Sequence, residues 1–160
     1  MMNKRQTTNM MNQLNKIESL LFMAGGVLMV TGAGLYAFLL WQPVACWLML
    51  VGAVFFVLMQ MRQKYSGNSI TIKRLRKIMS IANIGFILAG LFMVEDSYSF
   101  IEPLFSKSIG GYTTYVNVFH HNWVVILLIS AVIEVYTTHR ISYELGKDSE
   151  RQDEKTLKKD

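Results

Sequence analysis

Four long apolar stretches dominate the chain and constrain its fold more than any other feature. They lie at Ile17–Leu40, Val44–Met61, Ile78–Val94 and Trp123–Thr138, with lengths of 24, 18, 17 and 16 residues. A helix of a soluble domain needs a polar face toward water, and these stretches leave little room for one. About 20 helical residues cross the hydrocarbon core of a bilayer. The sequence therefore predicts an all-α membrane protein, a four-helix transmembrane bundle in which residues 1–160 form a single polytopic domain.

The positive charges lie almost entirely on one side of this predicted membrane domain. Of the 16 Lys and Arg residues, 15 precede the first stretch, lie between the second and third, or follow the fourth, and only Lys107 does not. Basic residues close to membrane spans stay in the cytoplasm. The bias predicts that both termini, the basic loop 62–77 and the charged tail 144–160 are cytoplasmic, and that the loop 95–122 is outside.

The outer loop 95–122 is rich in aromatic residues and poor in charge. We therefore expect it to lie at the membrane interface rather than to extend into water. Tyr112, Tyr115 and Phe119 recur at helical spacing, which predicts that helical structure begins before the fourth span. The charge bias also fits a bacterial cytoplasmic (inner) membrane, which we take as the expected location.

Four basic residues at the inner edge of the third stretch are expected to contact anionic lipid headgroups. They are Lys73, Arg74, Arg76 and Lys77. Each basic residue near an anionic surface contributes about 1 kcal/mol to membrane attraction. The net charge of +5 is therefore interpreted as an effect of topology, and we expect no binding to nucleic acid.

Small residues recur at helical spacing within the stretches, where they allow helix backbones to approach closely. Gly25 and Gly32 share a face of the first helix, and Ala45 and Gly52 share a face of the second. The third helix carries a similar ridge at Ala82, Gly85 and Ala89. We expect these faces to pack the helices against one another or to pack copies of the chain in a homo-oligomer.

Glu134 is the ionisable residue that lies well inside a predicted span. Asn83 sits at about the same depth in the third helix, and Ser80 and Ser130 lie one turn from Asn83 and Glu134. The spacing predicts that these four residues form one buried polar cluster. Intramembrane carboxyl groups either hold helices or partners together or take part in transport of protons or cations. A third hypothesis is that the Glu134 side chain simply reaches the nearby membrane interface.

His120 and His121 adjoin the outer edge of the fourth span, and Glu95, Asp96 and Glu102 belong to the same outer loop. Imidazole and carboxylate groups bind Zn²⁺ and similar ions. Adjacent residues of a helix point about 100° apart, so both histidines can bind one ion only if the chain turns there without being helical. The spacing alone assigns no metal site, and His120, His121 and Glu95 are the candidates for one.

The sequence contains none of the patterns that indicate an enzyme or a cofactor. Cys46 is the single cysteine, which excludes an intrachain disulfide and thiolate metal clusters. There is no nucleophile motif, P-loop or dinucleotide fingerprint. The leading hypothesis is a small, non-enzymatic accessory, assembly or scaffold component with a protein partner or a second copy in the membrane. The alternatives are a proton- or cation-coupled transporter centred on Glu134 and an outer-surface binder of metal or small molecules.

Overall fold

The computed structural model describes residues 16–63 and 69–157, with side chains as far as residue 150, and all regular structure in these ranges is helical. Four segments are long and apolar enough to cross a membrane, namely Lys16–Ala37, Gln42–Arg62, Ile70–Tyr98 and Ile109–Glu150. This confirms the prediction of an all-helical chain with four apolar helices of membrane length. The helices are α1 (Lys16–Ala37), α2 (Gln42–Arg62), α3 (Ile70–Tyr98), α4 (Glu102–Phe105), α5 (Ile109–Phe119) and α6 (Trp123–Leu157).

A tight turn joins α1 to α2. The first helix ends at Ala37, three residues before the end of its apolar stretch, because Leu39 and Trp41 adopt left-handed backbone angles with φ of 59° and 47°. Pro43 stands in the first turn of α2, where its missing N–H leaves no helical hydrogen bond unmade. The two helices are therefore antiparallel neighbours.

The third and fourth long helices extend well beyond their predicted spans. α3 begins before the basic residues 73–77 and continues past Glu95 and Asp96, which therefore belong to a helix and not to a loop. α6 likewise continues beyond Thr138 to Leu157. A separate apolar cluster joins the two extensions, formed by Ile72 and Leu75 of α3 with Ile141 and Leu145 of α6.

The helices alternate in direction, so the bundle has two chemically different ends. The loop end holds the α1–α2 turn and residues 99–122, where Ser108 caps α5 by accepting a hydrogen bond from the Gly111 N–H at 3.1 Å. The basic end is the opposite one, where Arg62 Nη1 of α2 lies 3.0 Å from Glu18 Oε1 of α1.

Glycines bring α1 and α2 into backbone contact. A Cβ atom at Gly25 would lie 2.7 Å from the backbone nitrogen of Phe56, which is closer than real side chains approach. A Cβ atom at Gly52 would overlap the backbone nitrogen of Met29 in α1. Close backbone approach gains van der Waals contact in lipid, where hydrophobicity does not drive helices together. The glycine spacing thus sets how the first helical hairpin packs.

The outward faces of the helices carry large apolar side chains. Val30 of α1 is 69% exposed, Leu58 of α2 is 51% exposed and Leu128 of α6 is 63% exposed. Apolar surface of this extent is costly in water and ordinary in hydrocarbon. The exposed faces therefore support an integral membrane protein.

The long helices pack in the order α1, α2, α3, α6. Helix α2 contacts both α1 and α3, and α3 contacts α6. At the loop end the two outer members of this row meet through Tyr36 of α1 and Trp123 of α6, whose rings are nearly perpendicular with centroids 5.2 Å apart. Away from that contact, α1 and α6 form the two walls of a groove.

We expect Gly52→Ala to lower the free energy of unfolding by about 1–3 kcal/mol, because the added methyl group must displace the backbone of α1. The matched control is Gly34→Ala in α1, since a Cβ atom there meets no other atom within 4 Å. Unfolding by sodium dodecyl sulfate in mixed micelles measures both. Equal stability of the two variants would contradict the glycine contact.

Candidate functional site

The groove between α1 and α6, called here the lateral groove, is apolar in its middle part. This part has a volume of about 320 Å³, and Val30 of α1 faces Leu127 and Ala131 of α6 across it. Phe56 of α2 and Phe86 of α3 line its floor. Because Val30 is mostly exposed, the groove opens sideways to the lipid rather than enclosing a channel.

The middle part is continuous with a pocket at each end. Toward the basic end it shares Phe56, Glu134 and Val135 with a pocket of about 640 Å³. Toward the loop end it shares Ala33 and Leu127 with a pocket of about 450 Å³. The shared lining residues make one groove along the bundle.

A carboxyl–amide pair lies at the basic end of the lateral groove. Gln60 Nε2 of α2 donates a hydrogen bond to Glu134 Oε1 of α6, and the Thr138 hydroxyl donates to the same oxygen at 3.4 Å. Gln60 is only 4% exposed. Glu134 Oε2 and Gln60 Oε1 are buried and have no hydrogen-bond partner among the described residues. Two acceptor oxygens therefore remain unsatisfied at one end of an apolar groove.

No hydrogen bond is found among the four residues predicted to form one cluster within the part of the chain that the structure describes. The hydroxyl of Ser80 donates to the Arg76 carbonyl at 3.0 Å, and that of Ser130 donates to the Ile126 carbonyl at 2.7 Å. Both bonds stay within their own helix. Asn83 is buried, and its side-chain oxygen lacks a partner within the described ranges.

Glu134 and Asn83 line different pockets. Gln60 and Met79 line both the pocket of Glu134 and a smaller pocket of about 160 Å³. The smaller pocket lies at the basic end, with Asn83 and Ser80 in its wall. Three of the four basic residues expected to contact lipid headgroups also line it, namely Lys73, Arg76 and Lys77, whereas Arg74 does not.

A second polar group lies at the loop end, centred on Asp96 of α3. The Tyr36 hydroxyl of α1 donates to Asp96 Oδ2 at 3.1 Å, and His120 Nδ1 lies 2.8 Å from Asp96 Oδ1. The Asp96 side chain is 4% exposed and that of His120 is 53% exposed. Asp96, His120 and His121 each offer a ligand atom, and these atoms all lie within 4.8 Å of one another.

Glu95 has a different environment from its neighbour. It is buried, and its Oε1 accepts hydrogen bonds from the Tyr115 hydroxyl at 3.0 Å and from the Ile101 N–H at 2.9 Å. These bonds fasten α5 and the start of the loop-end segment to α3. The structure thus brings Asp96, and not Glu95, to the two histidines.

Sequence reasoning did not single out Gln60 or Tyr36 as members of these groups, and it names Asp96 only as one of three outer-loop carboxyl groups, with Glu95 as the metal candidate. Gln60 carried a signal, since an amide within an apolar stretch needs a hydrogen-bond partner in hydrocarbon. The sequence places Asp96 in the outer loop, whereas the structure places it in α3. A tyrosine inside a span indicates a polar contact as well, because a buried hydroxyl needs a partner.

Comparisons with protein-family models, curated proteins and solved structures found no match to this chain. The pair at the basic end can accept hydrogen bonds from a molecule in the lateral groove. The group at the loop end offers two imidazoles and a carboxylate to an ion.

We expect Gln60 and Glu134 to be energetically coupled and Asn83 and Glu134 to be independent. In a double-mutant cycle with Gln60→Leu and Glu134→Leu, the coupling energy should be roughly 1 kcal/mol, within the range found for polar contacts between membrane helices. The matched cycle with Asn83→Leu and Glu134→Leu should give a coupling energy near zero. The free energy of unfolding in mixed micelles measures both cycles, and a larger coupling for Asn83 would contradict the assignment.

Proposed function

We propose that this protein is a non-enzymatic accessory or assembly component of a membrane, and that it binds a transmembrane helix of another protein in the lateral groove. The support is the two unpartnered acceptor oxygens at the end of an apolar groove that opens to lipid. An unsatisfied polar group in hydrocarbon is costly, so an occupant that supplies donors is favoured there.

The acceptors also indicate the chemistry of the occupant. Gln60 Oε1 requires a donor, and the unpartnered Glu134 Oε2 requires a donor when the carboxyl group is ionised or an acceptor when that oxygen carries the proton; an acyl chain of a lipid has neither. A partner helix with Lys, Arg, Asn, Gln, Ser or Thr at this depth provides a donor, while its apolar residues pack against Val30 and Ala131. Polar side chains between membrane helices act in this way as specific contacts within an apolar interface.

The protein is oriented with its basic end in the cytoplasm and its loop end outside a bacterial cytoplasmic membrane. The charge distribution supports this, since 15 of the 16 Lys and Arg residues precede the first apolar stretch, lie between the second and third, or follow the fourth, and Lys107 is the exception. The lateral groove then places Glu134 closer to the cytoplasmic face.

We expect a cysteine at Lys107 to react with a membrane-impermeant maleimide in intact cells, and a cysteine at Lys147 to react only after the membrane is opened. Both variants are made with Cys46→Ala, although Cys46 is fully buried and should contribute little background. If the Lys147→Cys protein is labelled in intact cells and the Lys107→Cys protein is not, the orientation is the opposite of the one proposed.

We expect a photoreactive amino acid at Val135 to crosslink to a spanning helix of a different protein in living cells. Val135 lines the lateral groove, and its side chain is accessible at 70% exposure. The crosslinked helix should carry a hydrogen-bond donor within one turn of the attachment point. The yield of the crosslinked product should fall at least fivefold when Glu134→Ala removes the carboxyl group. A fivefold change corresponds to a loss of about 1 kcal/mol of binding free energy.

The matched control is the same photoreactive group at Ile129, which is 56% exposed on the opposite face of α6 and lines none of the three parts of the groove. Capture at Val135 of lipid only, or of a second copy only, would contradict the proposal, as would equal capture at both positions.

Transport centred on Glu134 is the second candidate, favoured by the same half-satisfied carboxyl group. The two candidate functions differ in what they predict for the purified protein, since a transporter should carry ions without a partner protein. A pH-driven flux through the protein in liposomes that Glu134→Gln abolishes would support transport and contradict an accessory role.

A further inference from the structure

The turn between α5 and α6 brings two imidazoles next to a buried carboxylate. We propose that Asp96, His120 and His121 form a binding site for one Zn²⁺ or a similar divalent transition-metal ion. This site is separate from the carboxyl–amide pair of the lateral groove, so the inference goes beyond the proposed accessory function and does not rest on it.

The backbone at the two histidines has the geometry that a shared ion requires. Helix α5 ends at Phe119, His120 is extended with φ of −69° and ψ of 119°, and His121 is left-handed with φ of 60°. The chain is therefore not helical at this point, and the two rings lie nearly perpendicular with centroids 3.9 Å apart. In a continuous helix the two side chains would diverge by about 100°.

The distances are compatible with one ion after small movements of the side chains. His120 Nδ1 and Asp96 Oδ1 are 2.8 Å apart, and the ligand atoms of all three residues lie within 4.8 Å of one another. Around Zn²⁺, ligand atoms at about 2.0–2.1 Å from the metal are about 3.3 Å from one another. His121 is exposed, so its ring is free to rotate toward the ion.

Tyr36 orients the Asp96 carboxylate toward the histidines. Its hydroxyl holds Asp96 Oδ2 at 3.1 Å, which leaves Oδ1 directed to His120. A hydrogen bond to the distal oxygen of a ligating carboxylate fixes its orientation and typically changes metal affinity by about 10–100-fold. The Asp96 carboxylate is nearly buried while His120 is half exposed, so an ion can enter from the histidine side.

The donor set selects the type of metal. Two imidazole nitrogens and one carboxylate oxygen suit Zn²⁺ and neighbouring transition metals, whereas Ca²⁺ and Mg²⁺ take oxygen ligands. Three protein ligands leave a fourth position for water or for a group from another molecule. His121 also lines the loop-end part of the lateral groove together with Tyr36 and Trp123, so the ion would lie beside that end of the groove.

The test is titration of the purified full-length protein in detergent with Zn²⁺, followed by equilibrium dialysis and metal analysis. We expect one Zn²⁺ per chain in the wild type. Asp96→Asn and His120→Ala should each raise Kd at least tenfold, and the double variant His120→Ala/His121→Ala should lose binding. Tyr36→Phe should keep one ion per chain and raise Kd to a smaller extent, since it acts only through Asp96.

Two control variants remove a similar group elsewhere. His139→Ala changes a histidine near the basic end, and Glu102→Gln changes another carboxyl group of the loop end, and both should bind Zn²⁺ as the wild type does. Zn²⁺ should also raise the melting temperature of the wild type and of both controls, and leave that of the double variant unchanged.

Absence of Zn²⁺ binding by the wild type, or retention of one bound ion by the double variant, would overturn the proposal. The melting temperature without metal shows whether each variant folds. If Zn²⁺ does not change the melting temperature of the wild type, and Asp96→Asn lowers the melting temperature without metal, then His120 and Asp96 form only a structural ion pair.

Discussion

Backbone hydrogen bonding in hydrocarbon is the constraint on which the rest of this structure depends. A peptide group that enters lipid without a partner costs several kcal/mol, so each apolar stretch must satisfy its own backbone as a helix. The same condition applies to side chains, and it explains why Ser80 and Ser130 bond to their own helix and why Gln60 bonds across helices to Glu134.

Helix packing then follows from the smallest side chains. Gly25 and Gly52 let α1 and α2 touch through their backbones, and the short turn at Leu39 and Trp41 keeps this pair antiparallel. The order α1, α2, α3, α6 leaves α1 and α6 joined at the loop end by Tyr36 and Trp123. Because α1 and α6 meet at the loop end and are the two walls of the lateral groove away from that contact, the groove is open to lipid along its side.

The two polar groups lie at opposite ends of that groove and differ in their chemistry. At the basic end, acceptors predominate in apolar surroundings, which suits recognition of a donor on another helix. At the loop end, a buried carboxylate is held between a tyrosine of α1 and a histidine of the α5–α6 turn, which joins three parts of the chain at the predicted membrane surface.

The number, length and apolar character of the long helices could be predicted from the sequence, because these properties depend on local composition and on the thickness of a bilayer. The polar residues Glu134, Asn83, His120 and His121 could be noticed for the same reason, since each is unusual in its local surroundings. Their partners could not be predicted. The choice of Gln60 over Asn83 for Glu134, and of Asp96 over Glu95 for the histidines, depends on the rotation of each helix about its axis and on the place where α3 ends. Both are set by contacts between residues far apart in sequence, so only the tertiary structure decided them.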